Sequence, residues 1–163
     1  MSTSAPSSVD AGAASPVADA AWDSAARTLS TRLAGTVSEA DVRRWEAALA
    51  GALARVEEGG VFKLLYDLRF YEPADLDAHR AMRTVVPLLL AAHGFRTAIL
   101  DLFEGADLPL TTTRGIRCLA AACVHHDAGK MTEYERRLAR PTERFFTDRA
   151  EAEAWLASVS IEG

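Results

Sequence analysis

Three observations predict an α/β domain built on a mostly parallel sheet. Stretches of strand length, apolar and β-branched, alternate along the chain with stretches whose apolar residues recur every three or four positions. One strand-length stretch, Val61-Phe62-Lys63-Leu64-Leu65-Tyr66-Asp67-Leu68, is almost unbroken apolar sequence, which requires cover on both of its faces. The 163 residues are 49% hydrophobic and 25% charged, the balance of one globular domain with a core of its own.

Each element has a local reason. The first strand is read over Arg27-Thr28-Leu29-Ser30-Thr31-Arg32-Leu33, where Thr28, Ser30 and Arg32 alternate with Leu29, Thr31 and Leu33, and it ends at Gly35. Ser38 offers a helix cap, since its hydroxyl can accept from the free amides of a first turn, and Glu39 and Asp41 suit the positive helix end. Val42, Trp45, Leu49, Leu53 and Val56 then share one helical face, and Gly59-Gly60 stops the helix. After the strand Val61–Leu68, a second helix runs from Asp75 to about Ala92, with Leu76, Met82, Val85, Val86, Leu89 and Leu90 inward. Pro87 removes a backbone donor and should kink it, and Gly94 is its stop. Arg96 to Phe103 reads as a further strand. Arg117 to Val124 fits two readings: Ile116, Leu119, Ala120 and Cys123 suit a helix, whereas the apolar run Cys118–Val124 suits a buried strand. Met131 to Ala139 is helical and Glu143 to Phe146 a short strand. Asp148 caps a last helix, with Glu151 at capping-box spacing and Ala152, Trp155, Leu156 and Val159 inward.

Composition excludes several functions. A formal net charge of −5 and a pI near 5.4 argue against a nucleic-acid groove or an anionic membrane surface, both of which need clustered positive charge. No apolar run reaches the roughly 18 residues of a membrane span, so no integral membrane segment is expected. Cys118 and Cys123 are too few for a disulfide framework and lack the partners of a zinc site. Residues 1–21, mostly Ser, Ala, Pro, Gly and Asp, read as a disordered tail before a single domain over 22–163. That tail has no lysine or arginine and no apolar core stretch, so it is no secretory signal, and the cytoplasm is the expected compartment.

Three segments carry a resemblance. Gly35, Val37-Ser38-Glu39-Ala40-Asp41 and Trp45 look like the opening of STAS-like proteins of the SpoIIAA-like group. Leu64-Leu65-Tyr66-Asp67-Leu68-Arg69 resembles their central strand, which ends in Asp-x-Arg. Arg144-Phe145-Phe146-Thr147-Asp148, with Glu151-Ala152 and Trp155-Leu156, resembles their closing signature and is the most specific of the three matches. The resemblance covers about Arg27 to Leu156. It implies a STAS-type fold related to the CRAL-TRIO lipid carriers, a non-enzymatic role and a tendency to dimerise. It also implies a strand over Arg117–Val124. The segment Phe95 to Arg114 has no counterpart in the family pattern. Anti-sigma-factor antagonists of the true STAS kind carry a phosphorylatable serine at the start of the helix after the central strand; here Asp67 to Leu76 contains neither Ser nor Thr. A switch that adds about two negative charges at that point is therefore not available to this chain.

The candidate ligand-binding residues are Asp67, Arg69, His125, His126 and Asp127. Asp67 and Arg69 leave the central strand, and ligands of open parallel sheets bind outside the carboxyl ends of strands. If Arg117–Val124 is a neighbouring strand, the His125-His126-Asp127 cluster reaches the same edge and completes a polar rim. Adjacent histidines on a strand point to opposite faces, so only one could serve a site, and a metal would need three convergent ligands. His79 and His93 read as surface or capping residues. No Gly-rich phosphate loop, serine elbow or Cys–His pair is present, so neither catalytic residues nor a cofactor or metal are expected. The leading expectation is a non-enzymatic regulatory or interaction module with a protein partner. A carrier of an apolar ligand, lipid or fatty acid, is the alternative, and a small enzyme using His125-His126-Asp127 is a weaker third. Pairing with a second copy as a two-fold dimer is compatible with each.

Overall fold

The computed structural model describes residues 15–103 and 107–161. The elements are β1 (Val17–Asp23), β2 (Thr28–Val37), α1 (Glu39–Leu53), β3 (Val61–Asp67), β4 (Tyr71–Pro73), α2 (Leu76–Ala91), a 3-10 helix (Ala98–Leu102), a short 3-10 turn (Thr113–Gly115), β5 (Arg117–Val124), α3 (Ala128–Leu138), β6 (Glu143–Phe146) and α4 (Arg149–Ser158). The sheet order is β1-β2-β3-β5-β6, with β4 paired beyond the end of β3 on β2. β2, β3, β5 and β6 are mutually parallel and β1 is antiparallel. The class is α/β, as the alternating pattern predicts.

Because the parallel strands are added in one direction, right-handed crossovers place α1, α2 and α3 on the same face. The main core lies there and includes Leu29, Leu33, Trp45, Phe62, Leu64, Tyr66 and Phe145. α4, after the last strand, covers the other face over Leu65, Ala120, Ala122 and Val124, with Ala152 and Leu156. The unbroken run in β3 is thus explained: Phe62, Leu64 and Tyr66 serve one core while Leu65 serves the other.

Arg117–Val124 is a strand, buried along most of its length, and Ser38 and Asp41 form a complete capping box at α1. Asp148 caps α4, its carboxylate accepting from the Ala150 amide. α1 ends at Leu53 rather than running to Val56. The Arg114 guanidinium donates to the Leu53 and Val56 carbonyls at 3.3 and 2.9 Å, satisfying the helix end from another loop. α3 starts three residues earlier than the spacing predicts, because the Asp127 carboxylate accepts from the Lys130 amide. α2 runs through Pro87 to Ala91, close to the expected end.

Three expectations need correction. Residues Val17–Ala21, read as part of a disordered tail, belong to β1, which pairs with β2 from Val17↔Ala34 to Asp23↔Thr28. Its small alanines hid a strand pattern in which Ala18, Ala20 and Trp22 pack on the main core. Residues 1–14 of the expected tail lie outside the described residues. β2 also does not stop at Gly35 but continues to Val37, where Gly35–Val37 pairs with β4. Gly35 holds φ +92°, and a Cβ there would lie 3.2 Å from Pro16 Cα, so glycine keeps the strand running. Finally, Arg96 to Phe103 is no strand. β3 pairs directly with β5, so there is no place between them for this segment, and it coils into the 3-10 helix.

Glu143 of β6 holds that helix against the sheet. Its buried carboxylate accepts from Thr97 Oγ1 at 2.5 Å and the Ala98 amide at 2.8 Å, with Arg140 Nη2 at 3.3 Å. Burial pushes its pKa above the usual carboxylate range, against the pull of these donors. Lys63 plays a comparable part on the opposite face, its buried ammonium donating to the Leu156 and Val159 carbonyls at 2.6 and 2.7 Å. Replacing Glu143 with Ala leaves two buried donors unpaired and should cost about 3 kcal/mol of stability. Urea unfolding measures that loss, and a change under about 0.5 kcal/mol would show that the anchor is dispensable.

Candidate functional site

The carboxyl ends of β3 and β5 meet in register, Tyr66 beside Cys123 and Asp67 beside Val124. Period-two alternation then divides the edge between the two faces. Tyr66, Leu68, Cys123 and His125 line a cleft on the side of the three crossover helices, whereas Asp67 turns to α4.

Asp67 is fully buried and bonded on both oxygens. Oδ1 accepts from the Arg69 amide at 3.1 Å and Arg69 Nε at 3.0 Å; Oδ2 accepts from Arg69 Nη2 at 2.9 Å and Arg149 Nη1 at 3.2 Å. Burial pushes the carboxyl upward, but the Arg69 bonds and charge, with Arg149, hold it below its ordinary value. Asp67 and Arg69 therefore tie the sheet edge to the first residue of α4.

The histidine cluster splits. His125 is half-buried and its Nδ1 accepts from the Asp127 amide at 3.1 Å, which leaves the ring proton on Nε2 when the ring is neutral. Burial, then the Lys130 and His126 charges, lower its pKa to about 4. His126 is exposed and stacks on His125 with ring centroids 4.3 Å apart. Asp127 is the exposed cap of α3. The five sequence-chosen residues thus share one sheet edge, but only His125 lines the cleft. Among the described residues, no histidine bonds to a carboxylate and no group of three or more His, Cys, Asp and Glu could hold a metal.

The cleft has a free volume of about 120 Å3. Trp45, Tyr66, Cys123 and Met131 are buried and form its floor; Val86 and Pro87 of α2 and Ile99 and Leu102 of the 3-10 helix form its walls. Burial raises the Cys123 thiol to about 12, so it is a neutral thiol here. The mouth carries His79, Arg83, His125 and Lys130. His79 Nδ1 is hydrogen-bonded to Tyr71 Oη at 3.0 Å, and its pKa is lowered by burial and by the Arg83 and Lys130 charges. Sequence reasoning missed His79, Arg83 and Lys130. A signal was present for two of them: His79, Met82, Arg83, Val86 and Pro87 follow one another at helical steps along a single face. His93, by contrast, is a buried cap, its Nδ1 2.7 Å from the Leu89 carbonyl.

Two other clefts lie on the α4 side, one lined by groups such as Asp23, Ser30, Lys63 and Glu153, the other by Asp19, Arg32 and Arg149. No helix of the described residues is long and apolar enough to cross a membrane.

A mostly parallel sheet with three crossover helices on one face, a final helix on the other and a cleft at its carboxyl edge defines an α/β domain of the STAS type. The SpoIIAA-like family model matches residues 28–157, and the chain belongs to that family. Such domains are generally non-enzymatic regulatory or interaction modules. No curated protein and no solved structure matches the chain.

Depressed histidine pKa values link the cleft to pH. A His held at about 4 when folded, against 6.5 ordinarily, contributes stability that is complete above pH 6.5 and is lost as pH falls toward 4. Glu143, raised when folded, acts in the opposite sense over the acid end of that range. The difference between wild type and His125→Gln isolates the histidine. Melting temperatures should fall more steeply from pH 6.5 to 4.5 in wild type than in the variant, and parallel curves would refute the linkage.

Proposed function

We propose that this chain is a non-enzymatic regulatory or interaction module whose state is set by a small apolar ligand in the cleft between α2, the 3-10 helix and α3. The cleft is the observation that carries the reading: an apolar floor at the carboxyl edge of the sheet, walled by a helix and a 3-10 helix that lie outside the sheet ladder. A phosphoryl switch has no acceptor at the family's position, where Asp75 is the α2 cap and its carboxylate accepts from the Ala78 amide at 2.8 Å. The catalytic reading lacks support because His125 is bonded to a backbone amide and Asp127 to a helix end. A volume of about 120 Å3 is short of the several hundred Å3 that an acyl chain fills, so the ligand favoured is compact and no long fatty acid.

Native mass spectrometry of protein purified without denaturant tests this. The expected spectrum carries a small reproducible extra mass that disappears on organic extraction and is absent from Ile99→Trp, which fills the cleft. A bare mass in wild type that stays bare after incubation with cell extract would leave a module acting through protein partners alone.

A further inference from the structure

The electrostatics of the cleft mouth narrow the ligand class. Most arginines of this acidic chain hold a carboxylate; examples are Arg69 on Asp67, Arg96 on Asp101, Arg136 on Glu133 and Arg149 on Glu153. Arg83 and Lys130 do not. Among the described residues neither makes an ion pair, and each instead lies over an aromatic ring, Arg83 5.1 Å from the centre of Phe103 and Lys130 5.5 Å from that of Tyr134. Both are exposed and both line the cleft, as do the rings they cover (Phe103 and Tyr134). Their side chains pack alkyl stems on the apolar wall and keep their charges at the opening. No aspartate or glutamate lines the cleft among the described residues. His79 lines the same cleft, and burial first, then the Arg83 and Lys130 charges, lower its pKa.

Resting on the ligand reading above, we propose that the cleft binds a compact apolar acid, with one carboxylate held between Arg83 and Lys130 and an aromatic ring or short branched chain on the floor. Each half of the site fits one part of that molecule. The cleft, about 120 Å3 in all, is of the size that holds a single six-membered ring: an apolar cavity of roughly 150 Å3 binds benzene. At the mouth, a carboxylate would exchange two ring-stacked, water-facing cations for charge-assisted hydrogen bonds in a partly desolvated setting. The neutral Nε2–H of His125, on the same rim, can add a donor. A neutral ligand would leave both cations unanswered, and a cationic one would be repelled by them.

The chain has three methionines, Met1, Met82 and Met131, and the last two line the cleft. Protein labelled with 13C at the methionine methyls therefore reports occupancy directly. Phenylacetate is the probe, phenylacetamide its uncharged counterpart, and octanoate a longer acid. Phenylacetate should shift the Met82 and Met131 signals but not Met1, with a Kd of about 1 mM or tighter for a molecule of roughly ten non-hydrogen atoms. It should bind about tenfold more tightly than the amide. The double variant Arg83→Gln/Lys130→Gln keeps exposed polar stems at both positions; it should lose that preference, with acid and amide binding alike and with Met82 and Met131 signals still dispersed as in a folded protein. Equal binding of acid and amide by wild type would overturn the anion site and leave the apolar cleft standing. A preference that survives in the double variant would overturn it as well. Octanoate binding more than about tenfold tighter than phenylacetate would overturn the compact ligand. No shift with any probe up to about 10 mM, where fragments of this size still bind, would overturn both this site and the ligand reading beneath it.

Discussion

Parallel strands laid down in a single direction, each joined to the next by a right-handed crossover, leave the connecting helices no choice of side. Here that constraint puts α1, α2 and α3 on one face of the sheet and only α4 on the other. The crowded face has to accommodate three helices and the long connection after α2, and the space they fail to fill at the carboxyl edge is the cleft. On the sparse face, α4 reaches only the strands near the middle and the β6 edge. The outer part of β2 there, with Thr28, Ser30 and Arg32, is accordingly polar.

Polar groups buried on each face decide how the layers are joined. Trp45, the largest fully buried side chain, donates from Nε1 to Thr31 Oγ1 at 2.6 Å, and that hydroxyl donates in turn to the Asp19 carbonyl at 2.7 Å. The chain of bonds links α1 to β2 and β2 to β1, so one buried indole fixes the position of a helix over two strands. Lys63 and Asp67, four positions apart in β3, do the same for α4, gripping its last carbonyls and its first arginine. Such groups are costly to bury and gain their value from complete pairing, which sets position more than it adds net stability. A helix held at both ends by β3 side chains cannot slide along the sheet without unpairing one of them.

Much of this was legible in the residues. The α/β class, the central strand and the caps Ser38 and Asp148 follow from local pattern, because local pattern is what forms them. Two strands escaped. β1 is written in alanines, whose burial depends on what they face, and β4 is a three-residue pairing, too short for any period to register. The stretch Arg96–Phe103 has strand-like content, but β3 pairs directly with β5 and leaves it no place between them, a fact of topology that no window of sequence contains. At the site, sequence placed five polar residues at one sheet edge and could not divide them between faces. Asp67 and Arg69 satisfy each other and α4, whereas His125 lines the cleft. His79, Arg83 and Lys130 were passed over because cations spaced along a helix ordinarily mark its solvated side.

The attachment of the 3-10 helix through Glu143 has a consequence for how the molecule moves. Sheet strands share a ladder, so one cannot open without its neighbours. The Ala98–Leu102 helix shares no ladder and is joined to the sheet through a single carboxylate and its own apolar contacts. It is a small cooperative unit, able to open at a free energy well below that of global unfolding while the strands stay paired. Opening of that unit loosens one wall of the cleft and needs no breathing of the sheet.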